Sequence, residues 1–196
     1  MMTQTHMLLS ATFFAKPGHY GRTAAALMGG VVPDAAIFVM YGWEKLKCTS
    51  DQIIWNDIYF NSTFWKDAVA WGNSAPLYIA LLAIGALVYR ASRLMGTILM
   101  VLAASCLLHL AGDFFLHVDD AHRHFFPVSD YKFISAVSYW DPAHYGSYWS
   151  VFEVFLGLAL SIILFRRFKS IPSRLALGCL IAAYVAVPAY FLWSLS

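Results

Sequence analysis

Six apolar runs separated by polar segments dominate the chain. Two of them are irregular: the run at 23–43 is interrupted by GGVVPD, and the run from Met7 to Ala15 is too short to span a bilayer. Pro33 lacks an N–H, so we expect a kink there, with Asp34 capping the restarted helix. The pattern predicts an all-α integral membrane protein with about five transmembrane helices and a short N-terminal half-helix. Four runs approach the roughly 20 apolar residues that a spanning helix needs: 71–89, 94–116, 147–165 and 175–193.

The segments between the runs differ in charge. The turns at 90–93, 166–174 and 16–22 carry Lys and Arg without any Asp or Glu, whereas 44–70 and 117–146 hold most of the acidic residues. The positive-inside rule therefore predicts that the basic turns are cytoplasmic and that the two long segments lie outside. Within the first of these, the mixture of aromatic and charged residues in DQIIWNDIYFNSTFWKDAVAW indicates an outer-face amphipathic helix, with a simple connecting helix as the alternative.

The composition narrows the class of protein. Hydrophobic residues make up 60% of the chain and charged residues 12%, which is typical of a helical membrane protein. A net charge of +2 without a basic, aromatic-rich face gives no indication of a nucleic-acid partner. The three cysteines form no C-x-x-C pair, so no disulfide framework is expected. Without an internal repeat, residues 1–196 are interpreted as a single helical membrane domain.

Ionisable side chains inside the apolar runs are the first functional candidates, because such groups are costly in a membrane. Asp34, His109, Asp113 and Glu153 lie within runs, and His6 lies in the short first helix. Counted at about 1.5 Å per residue from the basic turns, His6, Asp34, His109 and Glu153 fall at similar depth in the outer half of the bilayer. Residues from separate helices are therefore expected to converge on one layer.

Spacing within one run adds a chemical argument. His109, Asp113 and His117 are four residues apart and share one face of a helix. The pattern His-x-x-x-Asp lets a ring nitrogen and a carboxylate oxygen reach one cation from adjacent turns, although a hydrogen-bonded pair has the same spacing. The sequence thus predicts a site for a divalent metal ion, with zinc the expected ion. Its predicted ligands are His6, Asp34, His109, Asp113 and His117.

The segment HVDDAHRHFFPVSD follows directly and is predicted to lie at or beyond the outer interface. Its His and Asp residues could complete a second metal site, supply a base or hold a lid, but a solvated polar loop also explains them and is the favoured interpretation for any single one. Asp120 and Glu153 are the candidate catalytic bases, with a desolvated carboxylate expected to have a raised pKa. His122 and His124 are expected to matter less than Asp34, His109 and Asp113.

Three stretches, THMLLSATFF, GGVVPDAAIF and HLAGDF, resemble the YdjM-like family in order and spacing. Those bacterial proteins are described as LexA-binding, inner-membrane-associated, metal-dependent hydrolases. The resemblance implies a multi-pass protein of the bacterial inner membrane in which His6, Asp34, His109 and Asp113 match the metal-binding positions. One departure is WGNSAP, where Asn73 stands in place of the histidine of the family's Thr-His-Ser motif. Asparagine is a poor zinc ligand, so the site is either rewired or inactive.

The favoured function is a membrane-bound metal-dependent hydrolase that acts on a lipid-like or membrane-proximal substrate through a His/Asp site in the outer half of the bilayer. A non-enzymatic metal-binding carrier, sensor or structural protein is the alternative. A di-iron oxidase would need repeated histidine boxes, and the chain has only seven histidines. Neither a P-loop nor a G-x-S-x-G elbow is present in the sequence. The expected partners are the lipid bilayer and a lipid-like substrate.

Overall fold

The computed structural model describes residues 1–194, and the side chains of these residues except 183, 185 and 187–194. Within that part the protein is all-helical, with 73% helix and no strand. Short 3-10 helices lie at Val32–Asp34 and Pro142–His144, and a π-helical turn lies at Ile54–Ile58. The α-helices are α1 (Thr3–Phe14), α2 (Tyr20–Gly29), α3 (Ala35–Leu46), α4 (Asp51–Ile53), α5 (Tyr59–Asn61), α6 (Thr63–Gly72), α7 (Ala75–Ala91), α8 (Arg93–Asp113), α9 (Gly146–Arg167) and α10 (Ile171–Ser194).

Three segments of the described chain are long and apolar enough to cross a membrane: 63–91, which comprises α6 and α7, then α8 and α9. A fourth would be the pair formed by α2 and 32–46, which is bent by 45° at its break. The predicted span at 175–193 lies within α10 (Ile171–Ser194), of which Ile171–Ala182 forms a shorter apolar helix. Beyond residue 182 only the side chains of 184 and 186 are described. Three to four long apolar helices therefore indicate a membrane protein.

Large apolar side chains cover the outside of these helices. Phe155 on α9 is 68% exposed and Leu87 on α7 is 64% exposed, and many neighbours on the same helices are also uncovered. A water-soluble monomer rarely leaves so much contiguous apolar surface in contact with solvent. Lipid is the medium that such a surface requires.

The bend near Pro33 differs in detail from the expectation. A 3-10 turn separates α2 from α3 as the proline predicts, but the Asp34 side chain makes no cap hydrogen bond to α3. Its Oδ2 instead accepts a 2.5 Å hydrogen bond from the Thr3 hydroxyl of α1. The predicted capping role is therefore wrong, because a side-chain donor from another helix takes that carboxylate.

The short helix α1 is packed in the middle of the bundle. It contacts α2, α8, α9 and α10, and its Leu8 is almost completely buried in the main apolar core. Gly30 makes this close packing possible, since a Cβ there would lie 2.8 Å from both the Cα and the amide nitrogen of Met7. The helix thereby places His6 inside the bundle although α1 is too short to cross a membrane.

The segment 114–141 has little regular structure and crosses the end of α8, and we call it the lid. The Ser74 hydroxyl donates to the Phe126 carbonyl at 2.5 Å, and the amide of Ala75 donates to the His124 carbonyl at 2.8 Å. Arg123 binds Asp67 of α6 at 2.5 Å. These contacts fix the lid histidines against the junction of α6, α7 and α8.

Candidate metal centre

Two histidines from different helices meet at one carboxylate. His6 Nε2 lies 3.0 Å from Asp113 Oδ1, and His109 Nε2 lies 3.0 Å from Asp113 Oδ2. The two imidazole rings are stacked, with centroids 3.6 Å apart and planes 13° from parallel. All three side chains are buried. Gly112 leaves space for the His6 ring, because a Cβ there would lie 3.1 Å from His6 Cε1.

The contacts of His109 define its protonation state. Its Nδ1 lies 3.0 Å from the Gly30 carbonyl, which can only accept, so Nδ1 carries the hydrogen. In the neutral ring Nε2 then carries a lone pair and no hydrogen. It lies 3.0 Å from Asp113 Oδ2 and 3.4 Å from Asp34 Oδ1. Among the described residues this Nε2 has no hydrogen-bond partner. Three electron-rich atoms facing one another require a proton or a metal cation between them.

The donor set fits a divalent metal. Zinc is commonly held by a mixture of imidazole nitrogens and carboxylate oxygens, and a backbone carbonyl that fixes the far ring nitrogen is typical of a metal-binding histidine. Ligand atoms from His6, His109 and Asp113 all lie within 4.8 Å of one another. Asp34 adjoins them through its 3.4 Å contact with His109. The first candidate metal position is thus formed by residues of α1, α8 and the turn before α3.

A second cluster shares Asp113. One ligand atom each from Asp113, His117 and His122 lie within 4.8 Å of one another, and all three side chains are buried. His117 Nε2 is 3.5 Å from Asp113 Oδ1, and the ring centroids of His117 and His122 are 4.5 Å apart. The amino nitrogen of Met1 lies 2.7 Å from the same Oδ1. Nitrogen atoms of Met1, His6 and His117 therefore surround that carboxylate oxygen.

Burial controls the charge of the lid histidines. It lowers the pKa of His124 to about 4 and, with the repulsion from His117, also lowers the pKa of His122. Burial opposes charge on His117 too, but its contacts with Asp113 and Asp120 outweigh this effect and raise its pKa. At neutral pH, His122 and His124 are consequently uncharged and keep a lone pair available to a cation.

Asp120 contacts His117 of the second cluster and also lines a small cavity with Lys66 and Lys132. Its Oδ2 is 2.9 Å from His117 Nδ1 and accepts from Trp140 Nε1, whereas Oδ1 is buried without a partner among the described residues. Burial raises the pKa of Asp120, but the contact with His117 outweighs burial, and the pKa lies below its ordinary value. This reverses the direction expected from the sequence. Asp120 is ionised at neutral pH and can accept a proton, although as a weaker base than predicted.

Glu153 lies outside both clusters. Its Oε1 accepts hydrogen bonds from the Thr5 hydroxyl at 2.6 Å and the Met2 amide at 2.8 Å, and its Oε2 accepts from Trp149 Nε1 at 3.1 Å. The carboxylate is fully buried and ties the start of α1 to α9. These contacts favour a positioning role over the catalytic role predicted from the sequence.

Replacing Glu153 with alanine is expected to lower the free energy of unfolding by about 3 kcal/mol, since buried donors left without a partner cost about 1–3 kcal/mol each. Glu153→Gln should lose less, because its carbonyl oxygen still serves Thr5 and Met2. Thermal unfolding in detergent measures the difference. An unchanged melting temperature in Glu153→Ala together with lost activity would restore the catalytic role.

Asn73 occupies the position at which the resemblance expects a histidine. It is completely buried, and its Nδ2 donates to the carbonyls of Pro33 and Val69 at 3.3 and 3.1 Å. Asn73 therefore fastens the turn that carries Asp34 to α6.

Comparisons of the chain with protein-family models, with curated proteins and with solved structures give no match. The geometry of the site therefore carries the functional interpretation.

The structure brings together every metal ligand proposed from the sequence. His109 contacts Oδ2 of Asp113, whereas His6 and His117 both contact Oδ1. Asp34 joins the group through His109. The sequence leaves His122 among the residues that could complete a second metal site, and the structure brings it close to Asp113 and His117. Sequence reasoning missed the Gly30 carbonyl, which no side-chain pattern reveals.

Proposed function

We propose that the protein is a membrane-bound, metal-dependent hydrolase that acts on an amphiphilic, lipid-like substrate. The observation that carries the proposal is the unpartnered His109 Nε2 facing two carboxylate oxygens inside the bundle. His6, Asp34, His109 and Asp113 would hold the ion. When bound, a zinc or similar ion activates water near neutral pH and polarises a phosphoryl or acyl oxygen.

The surroundings of the site support an amphiphilic substrate. A half-enclosed cavity of about 70 Å³ is bordered by Asp120 and His122 together with the basic side chains of Lys66 and Lys132. On the side of Gly112 lies an open, mostly apolar groove of about 420 Å³. A polar headgroup suits the first space, and an acyl or prenyl chain suits the second.

The remaining residues have separable tasks in this proposal. Asp120 borders the cavity and has one carboxylate oxygen without a partner among the described residues, and this carboxylate would accept the proton of the attacking water. Arg123 ties the lid to α6 through Asp67 and braces the lid internally through Asp130. Thr3 orients Asp34, and the Gly30 carbonyl orients His109. Each task uses an atom that the structure already positions.

The location of the site is part of the proposal. The basic turns place the lid on the outer side of the membrane by the positive-inside rule. The resemblance to the YdjM-like family adds the bacterial inner membrane. We propose a multi-pass arrangement of about five spans, including the broken pair at Pro33 and α10, with α1 as a half-helix and 51–71 on the outer leaflet.

Metal-dependent hydrolysis by detergent-purified protein tests the function. Water-soluble phosphate and carboxylic esters and their long-chain counterparts would be assayed with wild type, Asp120→Asn and the matched control Asp57→Asn, whose side chain is exposed and bound to Asn61. We expect turnover that chelation removes and zinc restores, with a preference for long-chain substrates. Loss of a general base typically costs about 10²–10⁴-fold in rate, so Asp120→Asn should fall by that factor while keeping the first metal.

The same preparations distinguish a hydrolase from a non-enzymatic carrier, sensor or structural protein. Full metal loading without hydrolysis of any tested ester would contradict the hydrolase and favour a carrier or sensor. A carrier would pass metal across the wall of vesicles that contain the protein, and this flux would fall when Asp34 is replaced. A purely structural cluster would bind no metal at all.

A further inference from the structure

We propose that the site holds two metal ions, with Asp113 as the bridging carboxylate and the lid histidines as ligands of the second ion. The inference extends the proposed function, since it takes the first position as given and adds a second one. Paired ions about 3.5–4 Å apart are the usual device for activating water and stabilising a leaving oxygen in phosphoryl transfer. A phosphate ester is therefore the substrate class that this arrangement favours.

Asp113 belongs to both clusters and contacts histidines of each through its two oxygens. Oδ2 faces His109 of the first position, while Oδ1 faces His117 of the lid. A carboxylate whose oxygens face two ligand sets can bind one ion with each. His6 and the Met1 amine also lie at Oδ1, so this oxygen stands at the point where the two clusters adjoin. Asp113 is itself only 2% exposed, so protein groups or bound ions, rather than bulk water, must balance its charge.

The lid supplies nitrogen donors for the second position. His117 and His122 lie together with Asp113 within 4.8 Å, and His124 follows with its ring centroid 5.8 Å from that of His122. Each of these histidines is at least nine-tenths buried. His124 Nε2 has no hydrogen-bond partner in the described part of the chain, while its Nδ1 contacts the His122 carbonyl at 3.2 Å. Burying an imidazole nitrogen without a hydrogen-bond partner is costly unless a cation uses it.

Neighbouring groups orient these donors. Asp120 Oδ2 lies 2.9 Å from His117 Nδ1, which leaves His117 Nε2 directed at Asp113. A carboxylate behind a histidine is the arrangement that normally supports a metal ligand. The lid backbone is fixed as well, since the His117 carbonyl accepts from the Ser135 amide at 3.0 Å. Neighbouring groups therefore hold both the ring and the backbone of His117. In the first position, the Gly30 carbonyl holds the His109 ring in the same way.

Metal stoichiometry tests the second position without any activity assay. Detergent-purified wild type, the lid double variant His122→Ala/His124→Ala, His109→Ala and the control His19→Ala would be loaded with zinc and analysed for bound metal. We expect about two ions per chain in wild type and in His19→Ala, and about one in the lid variant. Circular dichroism confirms that each variant keeps its helix content.

A bridged pair also has a spectroscopic signature. Loaded with Mn²⁺, the wild type should show an electron paramagnetic resonance spectrum altered by exchange coupling at two equivalents, and the lid variant should show only the uncoupled ion. One zinc ion per chain in wild type, retained in the lid variant, would overturn the second position while leaving the proposed function standing. No bound metal in any preparation would overturn both.

Discussion

Asp113→Asn is expected to remove bound metal from the protein almost completely. This residue contributes to both clusters, and asparagine keeps its size but lacks the negative charge. Replacing a residue that only hydrogen-bonds to a metal ligand typically costs about 10- to 100-fold in metal affinity. Losing the shared ligand itself should therefore cost more than about a hundredfold. Equilibrium titration with zinc against a competing chelator measures the change.

The matched control for this variant is Asp57→Asn, which makes the same chemical change on an exposed residue. Its zinc affinity should equal that of wild type. Because Asp113 also pairs with His6, thermal unfolding without metal must show that Asp113→Asn still folds. Wild-type affinity in folded Asp113→Asn would contradict the assignment of this carboxylate as a ligand.

Gly30→Ala is expected to weaken both folding and metal binding through a single steric contact. Gly30 has φ −74° and ψ −12°, which alanine adopts freely, so the backbone conformation itself imposes no strain. Its added Cβ would lie 2.8–2.9 Å from backbone atoms of His6 and Met7, and backbone yields less readily than a side-chain tip. Helix α1 must then move, and His6 moves with it. Overpacking of this kind typically costs about 1–3 kcal/mol.

Gly42→Ala provides the comparison on helix α3. A Cβ there meets nothing within 4 Å, so we expect no loss of stability and a gain of up to about 1 kcal/mol from helix propensity. Melting temperature and zinc affinity would be measured for both variants. Equal behaviour of the two alanine variants would show that the approach of α1 to Gly30 does not position the site.

The helical architecture follows from the length of the apolar runs. The runs at 94–116 and 147–165 correspond to α8 (Arg93–Asp113) and α9 (Gly146–Arg167). An apolar segment in lipid forms a helix because its backbone N–H and C=O groups have no water to bind and must pair with one another. Capping by Ser74 and Ser92 gives two boundaries a local chemical cause, and neither was foreseen. The sequence predicts a surface helix over 51–71 from its polar residues, whereas the apolar segment long enough to cross a membrane already begins at residue 63.

The site was predictable where a helix fixes the spacing and not elsewhere. His109 and Asp113 are one turn apart on α8, so their proximity follows from helix geometry alone. His6 and Asp34 were placed by depth, which holds as long as the helices lie side by side. The position of His122 depends on the path of the lid, which long-range contacts such as Arg123 with Asp67 determine. No periodic pattern in the sequence encodes such a path.

Elemental analysis of metal in detergent-purified protein tests the central claim most directly. Wild type would be compared with a variant in which Asp34, His109 and Asp113 are all replaced by alanine, each after incubation with zinc and removal of the excess. The account predicts at least about one tightly bound divalent ion per wild-type chain and none in the folded variant. A wild type that takes up no metal, or a folded variant that retains it, would contradict the account.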